Sequence, residues 1–250
     1  LAAVPAGQVS VQTIDERVRR QLRVMFASGL FDRQDKPTGE VDTPEQRSLA
    51  RAAAAESIVL LKNTGGILPL NSPKVRSIAV IGPNAAVAQT GGGGSSKVRP
   101  KYSIAPLDGI RERAAGQLQV TYALGTSMEG EAPDKDTPEA RAELRKEAAA
   151  LTAKADVTVV VVGYAWTLES EGFDRKSLDL PAGQDDLIQA VADANKNTVV
   201  VVVAGSPVGM SKWWSRVPAV IEAWYRGQEG GHEIADVLFG DTNPSGKLPV

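Results

Sequence analysis

The chain has 250 residues, with 28 Lys plus Arg against 30 Asp plus Glu, a formal net charge of −2. That balance excludes a polybasic nucleic-acid or membrane-surface binder as the starting reading. There is no cysteine and one histidine, His232, which removes disulfide frameworks, thiolate nucleophiles, Cys-based metal sites and two-histidine metal motifs. Carboxylates, hydroxyls, backbone and Arg/Lys are left to do any chemistry, and no motif calls for a metal or a cofactor. Apolar residues make up 42% and charged residues 23%, ordinary for a globular chain long enough to bury a full core. No apolar run approaches the ~20 residues of a membrane span, so neither nucleic acid nor membrane is expected as a partner.

The chain opens on Leu1 without the layout of a signal peptide and stops in mid-phrase at "NPSGKLPV", so it is expected to be a segment of something longer. Residues 13 to 32 repeat Ile14, Val18, Leu22, Met25 and Phe26 at helical spacing, with Thr13 as N-cap and Gly29 as stop. Residues 33 to 43 hold Pro37 and Gly39 and read as a linker. Thr43 and Pro44 then cap and open a second helix, expected to run to about Asn63.

From Val75 the rhythm changes. Short β-branched runs follow at 77 to 82, 118 to 124, 157 to 163, 198 to 205 and 219 to 225. Helical stretches lie between and after them, at 106 to 115, 137 to 155, 183 to 194 and 229 to 240. Runs that are apolar on both faces are strands covered by helices on both sides. The alternation predicts an α/β fold: a doubly wound, mostly parallel sheet sandwiched by helices (α/β/α), with right-handed crossovers. In such sheets ligands meet the loops after the strand C-termini, here 83 to 103, 164 to 181, 206 to 216 and 225 to 231.

Nucleotide signatures are absent. The first strand is followed by "GPNAAVAQTGGGGSS", which lacks G-x-G-x-x-G, and Gly240 to Lys247 misses a P-loop by spacing and by Leu248. No G-x-S-x-G elbow is present. Two loops carry candidate chemistry. Tyr164 to Gln184 interleaves Glu169, Glu171 and Asp174 with Tyr164, Trp166 and Phe173, beside Arg175 and Lys176. Rings that cover pyranose faces and a carboxyl group that exchanges a proton with a glycosidic oxygen are what a sugar site needs. A solvated polar loop with an Asp174–Arg175 surface pair has the same composition. Gly172 next to Glu171 allows a turn that aims a carboxylate outward. The loop 89 to 103 holds four consecutive glycines, Gly91 to Gly94; it fits a close approach to a ligand or another chain, or a flexible surface loop. His232 reads as structural or interfacial, the valine runs as core, and no more than one of Trp213 and Trp214 as buried. The stretch 126 to 136 reads as exposed.

Seven phrases resemble, in order, the C-terminal α/β sandwich domain of glycoside hydrolase family 3, the β-glucosidase/β-xylosidase group. They are "AAAESIVLLKN" with "LPL" (53 to 70), "IAVIGPNA" (78 to 85), "GGGGSSKV" with Pro100 (91 to 100), "PLDGI" (106 to 110), "ESEGFDRKSLDLPAGQ" (169 to 184), "AWYRGQEGG" (223 to 231) and "ADVLFGDTNPSGKLPV" (235 to 250). The first helix, ending "GLFD", resembles the last helix of the family's N-terminal (β/α)8 barrel. The implied organisation is a terminal barrel helix at 1–32, a linker at 33–50 and a sandwich domain, truncated at its C-terminus, at 51–250.

The resemblance implies part of a retaining, exo-acting β-glycosidase that hydrolyses terminal β-linked sugars, with its active site between barrel and sandwich. Its partners would be a β-glycoside or oligosaccharide and the absent barrel, which carries the nucleophilic Asp. The acid/base Glu falls on Glu171, with Glu169 as runner-up. Asp174 and Arg175 become supports. Gly93, Gly94 and Ser95 line the cleft, and Trp166 and Phe173 are candidate sugar platforms. Glu171 is expected to have a raised pKa, from desolvation in a closed cleft and from the nearby nucleophile's charge. A second reading remains: a non-catalytic module that binds sugar or packs against a partner.

Overall fold

The computed structural model describes residues 2–32, 39–70, 73–128 and 136–249. It divides into two units, Leu1–Val41 and Asp42–Val250.

The first unit is built on helix α1 (Val11–Ala27). Ser10, not Thr13, is the N-cap: its hydroxyl accepts from the Thr13 N–H at 3.1 Å. The helix therefore starts three residues before the expected position. It ends at Ala27, with Ser28 as C-cap and Gly29 at φ +68°, the left-handed residue that stops helices. No residue of α1 is buried, and its apolar stripe of Ile14, Val18, Leu22, Met25 and Phe26 is exposed.

The second unit holds one six-stranded sheet of order β1-β6-β5-β4-β2-β3. The strands are β1 (Val59–Asn63), β2 (Ser77–Ile81), β3 (Gln119–Ala123), β4 (Val157–Gly163), β5 (Thr198–Val203) and β6 (Ala219–Glu222). Strands β2 to β6 pair in parallel, and β1 lies antiparallel to β6 at the edge. The helices are α2 (Pro44–Ser57), α3 (Pro106–Ala114), α4 (Pro138–Thr152), α5 (Gln184–Ala194) and α6 (Gly230–Phe239).

The valine runs explain the layering. Along β4, Val159 and Val161 join one core with α3 and α6, while Val160 and Val162 join a second core with α5. Alternate side chains of an extended strand point to opposite faces, so a strand of valines feeds both layers at once. All seven residues of β4 and all six of β5 are buried. The fold is thus the α/β/α arrangement that the alternation predicts.

Two further local readings change. The second helix ends at Ser57 rather than near Asn63, and residues 59–63 form β1. Ile58 leaves the helix at ψ 133° and is fully buried. The β-branched pair Ile58–Val59 prefers extended backbone, and pairing with β6 supplies the ladder. Thr126 and Ser127, expected on the surface, are buried; the Thr126 hydroxyl donates to the Ala182 carbonyl. Residues 129–135 of that stretch, and 33–38 of the linker, lie outside the described residues. Trp213 is buried and Trp214 is 38% exposed, which accords with their adjacency. Among the described residues no helix is long and apolar enough to cross a membrane.

Candidate active-site groove

Four loops leave the C-terminal ends of β2, β4, β5 and β6, and together they line an open groove of about 990 Å³. The first contributes Gly92, Gly93, Ser95 and Ser96. The second contributes residues 169–171 and 173–178; Gly205 with Ser206, and Tyr225, complete the wall. These are the loops that the position of strand ends predicts.

The glycine loop and the acidic loop are joined by backbone. Gly93 and Ser170 form a parallel bridge, and the Gly93 N–H donates to the Glu169 carbonyl at 3.0 Å. Gly94 has φ +78°, and a Cβ placed on it would overlap the Cβ of Glu171. A side chain there is excluded by both strain and space. This is the close approach that four consecutive glycines suggested.

Glu171 and Glu169 sit two residues apart and in opposite circumstances. Glu169 is held from every side. Its carboxylate accepts from the Gly205 N–H at 2.7 Å, from the Ser206 hydroxyl and from the Tyr225 hydroxyl. The Arg175 Nε lies 3.6 Å away, and only 10% of the Glu169 side chain is exposed. Burial, then the bond to Glu169, pushes the Tyr225 phenol far up, so Tyr225 remains a donor. Glu171 is exposed in the groove. Its Oε2 accepts from the Ser95 hydroxyl and from the Ser95 N–H, the latter at 2.9 Å. Gly172, at φ +84°, turns the chain directly after it.

A raised Glu171 pKa was expected of a closed cleft; in the open groove of this chain the pKa is lowered instead. The Ser95 hydroxyl, then the Ser95 N–H, favour the charged form and lower it, and burial opposes them only weakly. Two donors on an open carboxylate outweigh a desolvation that an open groove does not impose.

The remaining predicted residues divide. Phe173 and Asp174 are exposed and line the groove, whereas Trp166 is not among the lining residues. The Lys97 ammonium stands 3.9 Å over the Trp166 ring, a cation–π contact that occupies one face. Arg175 is not the partner of Asp174 that a surface pair would need. Its guanidinium faces Glu169, donates to the Pro207 carbonyl at 2.7 Å and lies 4.3 Å from the Tyr164 ring centroid. His232 lies elsewhere, between Glu229 at 2.7 Å and Glu112 at 2.8 Å, and Tyr102 donates to the same Glu229. Burial lowers the His232 pKa, but the two carboxylates more than offset it, so the imidazole is held protonated more strongly than usual.

Sequence reasoning passed over Ser206, Tyr225 and Glu222. Their signal was position: each stands at or just after the end of β5 or β6. Glu222 is the acidic residue that ends the apolar run "AVIE". It is buried and accepts from the Trp224 N–H at 3.1 Å, and burial pushes its pKa up to about 8.

A family model described as the glycosyl hydrolase family 3 C-terminal domain matches residues 58–250. The chain belongs to glycosyl hydrolase family 3. Thermostable β-glucosidase B of Acetivibrio thermocellus is 38% identical over 246 residues, which cover 98% of this chain and 31% of that protein. A β-xylosidase of Formosa agariphila is 34% identical, covering 95% of this chain and 33% of its own length. The solved β-glucosidase EmGH1 of Erythrobacter marinus superposes with a TM-score of 0.84 at 32% identity, over 100% of this chain and 36% of that one. The family 3 chain described here therefore spans about a third of the length of these curated relatives.

Proposed function

We propose that this chain is the sandwich part of a retaining, exo-acting β-glycosidase and that it supplies the general acid/base, Glu171. The observation that carries the reading is the contrast between two neighbouring carboxylates. Glu169 is saturated by the Gly205 N–H, Ser206, Tyr225 and Arg175, so its lone pairs are spent on holding three loops together. Glu171 opens onto the groove, tethered through one oxygen.

In a retaining pair the two carboxyl groups stand roughly 5 to 5.5 Å apart. The nucleophile belongs to an N-terminal barrel, to which residues 1–32 would contribute the last helix and 33–50 the connection to the sandwich domain at 51–250. The exposed apolar stripe of α1 is consistent with a helix that packs within such a barrel. A barrel closing over the groove removes water from Glu171 and sets an anionic Asp beside it. Both effects raise its pKa against the pull of Ser95. Glu171 then protonates the leaving oxygen. Once the nucleophile is esterified its charge is gone, the pKa of Glu171 falls, and the group serves as base for water. Phe173, exposed in the groove, offers a ring to a sugar face, and the exposed Trp166 is a further candidate. Terminal β-linked glucose or xylose, the sugars in the relatives' names, is the substrate class.

The test is Glu171→Ala in the enzyme that joins this segment to its barrel. Hydrolysis of substrates with poor leaving groups should fall by roughly 10²-fold or more, and azide should restore turnover of activated ones as the glycosyl azide. Glu169→Ala abolishing the reaction through chemistry, with Glu171→Ala near wild type, would reverse the assignment.

A further inference from the structure

Ser95 was expected to line the cleft for substrate. It does line the groove, and both of its donors are turned to Glu171. We propose that Ser95 is a positioning residue for Glu171, and that its N–H and hydroxyl select which carboxyl oxygen carries the catalytic proton. The inference rests on the reading of Glu171 as acid/base and deepens it.

Both Ser95 donors converge on one atom, Glu171 Oε2. A backbone N–H can only donate. An oxygen that accepts from it cannot also present a proton toward it, and a carbonyl oxygen is a stronger acceptor than an acid hydroxyl, so in the neutral carboxylic acid the two donors favour Oε2 as the carbonyl oxygen. The proton then resides on Oε1. The tether thus biases a two-fold choice that a free carboxyl group leaves open, and it restricts rotation of the carboxyl plane.

The surrounding chain makes the tether rigid. Gly94 precedes Ser95 in a left-handed conformation and lies so close to Glu171 that any side chain would collide with it. Gly93 bridges to Ser170. Ser95 itself lies in the single turn Gly94–Ser96, closed by the Lys97 N–H donating to the Gly94 carbonyl. Acid loop and glycine loop therefore move together.

The proton inventory balances on Oε1. In the first step the Oε1–H bond breaks, and the proton passes to the glycosidic oxygen as its bond to the anomeric carbon breaks and the nucleophile's bond forms. In the second step water gives a proton to Oε1 while its oxygen bonds the anomeric carbon and the ester to the nucleophile breaks. Oε2 remains bound to Ser95 throughout. The charged form, left after the first step, is the one that the two donors favour.

Other charges near the groove are Glu169 with its partner Arg175, then Asp174 and Lys176 on the acidic loop, and Lys97 on the glycine loop. Ser95→Ala alters none of them. The first test is a carbon-detected NMR titration of the Glu171 carboxyl in the 250-residue chain, assigned through Glu171→Gln. The wild-type group should titrate below the usual glutamate range. Ser95→Ala should move it toward that range, and Ser95→Thr should bring it back. An unchanged titration in Ser95→Ala overturns the inference.

The second readout is the barrel-joined enzyme. There Ser95→Ala should lower kcat about tenfold, the scale of one charge-assisted hydrogen bond, with KM little changed. The alkaline limb of kcat/KM should shift to higher pH, and Ser95→Thr should restore it. A loss that is equal at every pH, with the limb in place, overturns the positioning role. If Glu171→Ala proves near wild type, the acid/base reading fails instead, and the titration still decides whether Ser95 holds the carboxyl group.

Discussion

Glu222 ends β6 with its side chain buried, and burial pushes its pKa to about 8 from an ordinary 4.5. The nearby Arg226 pulls the other way and Glu169 adds to the rise. The folded chain thus binds this proton more tightly than the unfolded chain does. Its contribution to stability is fully present below about pH 4.5 and is lost as the pH climbs through about 8. Glutamine copies the neutral acid and keeps a carbonyl for the Trp224 N–H at 3.1 Å. Glu222→Gln should therefore match wild type near pH 5 in urea unfolding. Between there and pH 8 it should gain on wild type by on the order of 1 kcal/mol for each pH unit. Parallel curves for the two proteins would show that Glu222 is ionised in the fold. The same contrast between a buried neutral acid and a solvated charged one separates Glu222 from Glu171, although both stand at the C-terminal edge of the sheet.

At the scale of elements, helices α3 and α6 cross at two glycines. A Cβ on Gly109 would fall on the backbone carbonyl of Gly231, and one on Gly231 would fall on the carbonyl of Ala105. Helix propensity alone favours Gly109→Ala by roughly 1 kcal/mol. Overlap with backbone cannot be relieved by a rotamer change, and overpacking of this kind costs about 1–3 kcal/mol or more. The steric effect should win, so Gly109→Ala should lower the urea midpoint with m unchanged; a higher midpoint would mean that the helices slide apart freely. The crossing was not legible in the sequence, because "PLDGI" gives no sign of which backbone lies against its glycine. What was legible followed from period. Valine runs on β4 and β5 announce strands buried on both faces, and their alternation with helices announces the parallel sheet. β1 was hidden because "IVLLKN" continues the apolar spacing of α2, and only its pairing with β6 decides between helix and strand. In the groove, the loops were legible from strand ends and the pair Glu169 and Glu171 from composition. Their division into a saturated and an open carboxylate was not, since Gly205, Ser206, Tyr225 and Ser95 reach them from three other loops distant in sequence.

At the scale of the whole molecule, the second unit has two cores around one sheet, while the acid chemistry proposed for it needs a second carboxylate. Retaining hydrolysis needs two carboxylates on one sugar: one that attacks the anomeric carbon and one that protonates the departing oxygen. Of the groove's acids, Glu169 is bound on all sides, and Glu171 is held by Ser95 in its charged form. Neither condition suits a donor that must start protonated in water, and an open groove gives no desolvation to correct it. The purified 250-residue chain should therefore unfold cooperatively and bury its valine strands, yet turn over neither an aryl β-glucoside nor an aryl β-xyloside above the uncatalysed rate. Circular dichroism with a urea transition establishes the fold in the same sample in which release of the phenol is followed. Turnover that rises with chain concentration and disappears in Glu171→Gln would mean that a second carboxylate of this chain, Asp174 being the exposed one in the groove, completes the pair. The division of the centre between two domains would then be wrong.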